Sequence, residues 1–173
     1  MKRPIKLIYL LLAVNVTTIG CTDTTGPFPM GINDGEFVAI IDGTSDFRGD
    51  AGYEIIVPTS EWTPDVYSDS VLFLTLKTGE INSNRGTSVT IGLMLNTLWD
   101  NNSEKLDIGS TTIINSFVDP NTLEYYVVRS GFISIRERSN DLLVGEFNLR
   151  AAVDSSDSDS LKITGEFRAK PKQ

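Results

Sequence analysis

Residues 131–169 read GFISIRERSNDLLVGEFNLRAAVDSSDSDSLKITGEFRA. Three apolar runs, ISIRE, LLVGEFNLRAAV and LKITGEF, are broken by the polar tetrad RSND and by SSDSDS. Side chains of a strand point alternately to opposite faces, so apolar residues at every second place mark a strand buried on one side. Short breaks of Ser, Asn and Asp suit hairpin loops, because these side chains hydrogen-bond their own backbone. The stretch therefore predicts three antiparallel strands joined as a meander. Within it the tripeptide GEF occurs at 145–147 and 165–167, and once more at 35–37. Each copy predicts a Gly at a strand start or bend, a Glu facing solvent and a Phe facing the core.

Working outward, GEFVAIID (35–42), SVLFLTLK (70–77) and TSVTIGLML (87–95) repeat the pattern, while NTLWDNNSEK (96–105) reads as a loop. No window of helical length shows a helical stripe. Short, evenly spaced strands with Gly, Asn, Asp and Ser between them predict an all-β domain, an antiparallel β-sandwich or open barrel ending in the three-strand meander. The expected organisation is a leader over 1–20, a flexible tether over 21–34 rich in Gly and Pro, and one domain over 35–170.

The leader carries Lys2, Arg3 and Lys6 before an apolar stretch from Leu7 to Val14. That run is too short for the roughly 20 apolar residues a membrane-spanning helix needs and suits an export signal. Cys21 follows it and is the only cysteine in 173 residues. One thiol cannot close an internal disulfide, so it asks for another use. Residues 1–21 resemble a bacterial lipoprotein signal, with Gly20 just before the cysteine and uncharged residues ahead of it. Thr18 and Ile19 stand where leucine and a small residue are commonest in such signals. The resemblance implies cleavage before Cys21 and a diacylglycerol on its sulfur. Two or more acyl chains give stable anchoring, at about 0.8 kcal/mol per buried methylene. Thr22 after the cysteine, rather than Asp, points by the same analogy to the outer membrane.

The leader holds three of the 15 cations and none of the 23 acids, so the remainder carries a net charge of −11. A surface so acidic is repelled by phosphate-rich polymers, and no nucleic-acid partner is expected. The chain from DGEFVAIIDG (34–43) through GSTTIINS (109–116) and the last three runs resembles a group of small bacterial lipoproteins of unknown function. The likeness rests on Ser130–Ile135, Gly145–Ala151 and Leu161–Phe167, and implies a β-sandwich-like domain without assigning any catalytic residue.

There is no histidine, which removes His-based acid–base chemistry, Ser/Cys–His nucleophiles and the usual zinc sites. Carboxylate chemistry remains, as in a glycosidase pair, with Asp42, Asp46, Asp50, Glu54, Glu61, Asp65 and Asp69 as candidates. Acids are abundant throughout, so an enzyme is not the expectation and a carboxylate-based hydrolase stands as a remote alternative. Asp154–Ser160 is dense in hard oxygen ligands, but an EF-hand needs Gly at its sixth place and Glu at its twelfth, where Asp159 and Gly165 stand. It reads as a solvated hairpin loop, and no metal or cofactor is expected. The tripeptide Arg48–Asp50, RGD, reads as an exposed turn. Trp62, Tyr67 and Trp99 lie in polar, loop-like surroundings and are the candidate ligand contacts, for an envelope glycan or protein partner. Flat rings bury much area at low entropic cost. The plainer reading has them plugging the ends of the fold. The expected protein is a membrane-anchored, non-catalytic binding or structural domain, with a carbohydrate- or ligand-binding module as the alternative.

Overall fold

The computed structural model describes residues 31–57, 69–82, 88–109, 111, 114–153 and 160–172. Nine strands follow in order: β1 (Glu36–Ile41), β2 (Ser45–Ile56), β3 (Val71–Asn82), β4 (Ser88–Leu98), β5 (Lys105–Asp107), β6 (Ser116–Val118), β7 (Tyr125–Arg138), β8 (Leu143–Ala152) and β9 (Leu161–Pro171). Each of β1 to β3 pairs antiparallel with the next, β4 pairs with β6, and β6 with β7. β7 pairs with β8, β8 with β9, and β9 returns to β1. The ring closes as an eight-stranded antiparallel barrel. β5 sits beside the second half of β7 and shares one place in the wall with β6.

Closure corrects the expected sandwich or open barrel. The meander β7–β8–β9 is present, but it is a sector of the ring rather than a terminal unit, because β9 and β7 each have a further neighbour. Alternation reports which face is buried and is the same for a sandwich and a barrel. Register shifts fall at Lys77/Gly79, Val128/Ser130 and Ile135/Glu137, and such bulges sharpen twist and curvature. The RGD residues also lie elsewhere than expected: they sit inside β2, opposite Val38, Phe37 and Glu36 of β1, where the backbone is extended.

The interior is apolar and filled. Phe37, Phe117, Phe147, Phe167, Leu72, Leu74, Leu76, Leu93, Leu95, Ile133, Leu149 and Ile163 are almost wholly buried. A row of rings runs Phe37–Phe47–Phe117–Tyr126, with centroids 5.6, 5.7 and 5.8 Å apart. An eight-stranded barrel is just wide enough either to fill with side chains or to hold one small ligand, and this one fills. The two later GEF copies explain part of the fit. Gly145 lies opposite Phe167 and Gly165 opposite Phe147. A Cβ on Gly145 would stand 2.7 Å from the Phe167 Cζ, and one on Gly165 2.3 Å from the Phe147 Cζ. Each ring thus occupies the place of the missing side chain on the neighbouring strand. The glutamates point outward, and Arg136 bridges them, bonding Glu146 and, at 3.3 Å, Glu166. Glu faces out and Phe in as expected, but these glycines are mid-strand receptacles for rings rather than strand starts. Gly35, at φ 94° just before β1, does open a strand.

Candidate functional site

One end of the barrel gathers the ends of β2, β4 and β7 and the starts of β3, β5 and β8. β4 stops at Leu98, and the next residue is tied across to β3 by Trp99 N donating to Ser70 O at 2.7 Å. Asp100 then turns the chain: its carboxylate accepts from Asn102 N at 2.9 Å and Ser103 Oγ at 2.6 Å. The Ser103 and Asn102 bonds, helped by the nearby Arg138 charge, hold that carboxyl below its usual range. Within the same turn Trp99 Nε1 donates to Asn101 Oδ1 at 2.8 Å.

Arg138, the last residue of β7, completes the arrangement. Its guanidinium lies 4.8 Å from the Trp99 ring centre and donates to the carbonyls of Asp100 (3.1 Å), Asn101 and Ser103. A cation over an indole face is attracted by the ring quadrupole, the more so when desolvated. Trp99 itself is half-buried and packs against the core. Tyr53, at the end of the same cleft, donates its hydroxyl to Asn140 O at 3.4 Å, and burial, then the Asp141 charge, raises its phenol above the ordinary value. Tyr53, Ile55, Trp99, Arg138, Asn140 and Leu143 line an open cleft of about 370 Å³. Its chemistry is aromatic, cationic and amide-like. It offers ring contacts and hydrogen bonds.

Trp99 is therefore both half-buried structure and cleft wall. Trp62 and Tyr67 fall in 58–68, outside the described residues, though the strand ends that flank them, Ile56 and Val71, are paired with each other at this same end. Cys21 and residues 154–159 of the acidic loop are outside the described residues too. Of the candidate acids, Asp46, Asp50 and Glu54 share the exposed outward face of β2, and Asp42 sits in the turn after β1 with its carboxylate accepting from Lys162 N at 2.8 Å. Among the described residues no group of three His, Cys, Asp or Glu is placed to hold a metal ion. At the opposite end, Tyr126 donates to Glu124 Oε2 at 2.7 Å; that bond, with burial and the Glu124, Asp119 and Asp42 charges, pushes the phenol up to about 12.

Tyr53, Arg138 and Asn140 were not legible as site residues. Arg138 alternates like any outward strand residue, and Tyr53 lies in SDFRGDAGYEII, whose two glycines and four charges hide a strand. The alternation Phe47, Gly49, Ala51, Tyr53 against Asp46, Arg48, Asp50, Glu54 was the available signal. Compared with protein-family models, with curated proteins and with solved structures, the chain matches none.

Proposed function

We propose that this protein is a non-catalytic lipoprotein of the bacterial cell envelope, tethered by lipid on Cys21 and displaying a filled β-barrel for binding or structural duty. The observation that carries the reading is the leader with its single cysteine, joined to a barrel whose interior is spent on apolar packing. Apolar side chains fill the interior among the described residues, which favours the surface and the barrel ends as the places where a partner would be met. β1 begins at Glu36, so the tether over 21–34 meets the barrel at its first strand. Metabolic labelling with a palmitate analogue tests the anchor. Label is expected on the native chain and absent from Cys21→Ala; an unlabelled native chain, or equal label on both, overturns it.

A second reading, a module for an envelope glycan or similar ligand, is favoured by the cleft at Trp99, Tyr53 and Arg138. Stacking on Trp99 would alter its fluorescence, so titration with envelope glycans should shift emission in the native chain and not in Trp99→Phe. No shift with any glycan counts against this reading and leaves the first untouched.

A further inference from the structure

The Trp99 cleft does not end at Arg138. Beyond that side chain lies a second groove of about 410 Å³, lined by Asn102, Glu104, Ile135, Arg136 and Glu137. Asn101 and Arg138 belong to both walls. The bonds from Arg138 to the carbonyls of Asp100, Asn101 and Ser103 fix the ridge between the two. The halves differ in character. Tyr53, Ile55, Trp99 and Leu143 wall the first, and of these Tyr53 and Leu143 are buried. The second is polar: Glu104 and Glu137 line it beside Arg136 and Arg138, so neither sign prevails among its lining side chains. Carboxylates that accept, next to guanidinium and amide groups that donate, suit a ligand rich in neutral hydroxyls, because hydrogen bonds to charged groups are the stronger kind. An anionic ligand would meet as many carboxylates as guanidiniums there. The chain also enters the barrel at this end. Gly35 N donates to Arg168 O at 2.6 Å, Gly35 O accepts from Ala51 N at 2.7 Å, and Lys172 N donates to Tyr53 O at 2.9 Å. The tether over 21–34 therefore leaves from the end that carries the cleft, and at full stretch it reaches about 50 Å.

We propose that cleft and groove together take a glycolipid, its sugar in the polar groove and the adjoining apolar part against Tyr53, Ile55 and Leu143. This rests on the glycan reading of the cleft and names the ligand class. A pocket that is apolar on one side of a ridge and polar on the other matches a molecule with the same division, and a lipid of the membrane that holds Cys21 is within the tether's reach. The test places the native chain in phosphatidylcholine vesicles, alone or mixed with phosphatidylglycerol or with monoglucosyl diacylglycerol, and reads tryptophan emission. A shift is expected with the glucolipid alone, and none with free glucose at the same total concentration. The glucolipid content that gives half the shift should rise at least about tenfold in Ile55→Asp and in the double variant Glu104→Gln, Glu137→Gln. An equal shift with free glucose overturns the proposal and leaves the glycan reading standing. An equal shift with phosphatidylglycerol, a shift that both variants leave unchanged, or no shift with the glucolipid also overturns it; the glycan titration then decides the broader reading by itself, as palmitate labelling decides the anchor. Should Ile55→Asp unfold the chain, the double variant decides.

Discussion

The hairpins β8–β9 and β3–β4 are both long antiparallel pairs, and they end up in opposite circumstances. β8–β9 runs nine consecutive pairs without a register shift, from Leu143–Ala169 to Ala151–Leu161, and each strand has a further neighbour on its other side. β3–β4 breaks register once and, past the break, the two strands pair only with each other among the described residues. The placement of glycine separates them. In β8–β9 the two glycines face inward and are covered by the rings opposite; in β3–β4 Gly79 and Gly92 flank the register shift. A glycine in a strand is thus either a socket or a hinge, and its cross-strand partner decides which.

Breaking the socket should cost most. Phe147→Ala removes the ring over Gly165 and leaves a cavity in a filled interior, with an expected loss of about 4 kcal/mol in denaturant unfolding. Gly165→Ala forces a Cβ to 2.3 Å from the Phe147 Cζ and 2.4 Å from Val38 O. Because one of those neighbours is backbone, the expected loss is about 3 kcal/mol. Equal stability of either variant with the native chain would show that the exchange of rings and glycines is not what locks this wall.

Arg136→Ala leaves Glu146 and Glu166 directly opposite one another. The cluster is exposed, so the loss should stay under about 1 kcal/mol and shrink with added salt. Gly79→Ala is the counterpart in β3–β4. A Cβ there meets nothing closer than Ile91 Cδ1 at 3.6 Å, and the change should stay within about 0.5 kcal/mol. A large loss at Gly79 would mean that this end of β3–β4 is packed as tightly as β8–β9.

Much of this was legible. The three runs at the C-terminus gave their strands and pairing order, because hydrophobic alternation and polar breaks are local signals. β2 was hidden, since Gly49, Gly52 and the charges of SDFRGDAGYEII mask its alternation, and β5 and β6, at three residues each, are too short for a period. Closure depends on β9 meeting β1, a contact between the two ends of the domain that no local pattern encodes. Trp99 was legible as a residue worth following, and its lodging under Arg138 was not, because that contact joins residues 39 apart in sequence. The end-plug reading of the aromatics describes Trp99 in part: the residue packs against the core and still walls a cleft.

The claim on which the account turns is that the barrel interior is a core and not a ligand chamber. Thermal unfolding in the presence of benzene tests it most directly, since a ligand that enters only the folded state raises Tm, and benzene enters empty apolar cavities. The native chain should show no rise, and Phe147→Ala, with its vacated socket, should show one. A native chain stabilised by benzene to the same extent as Phe147→Ala would contradict the account.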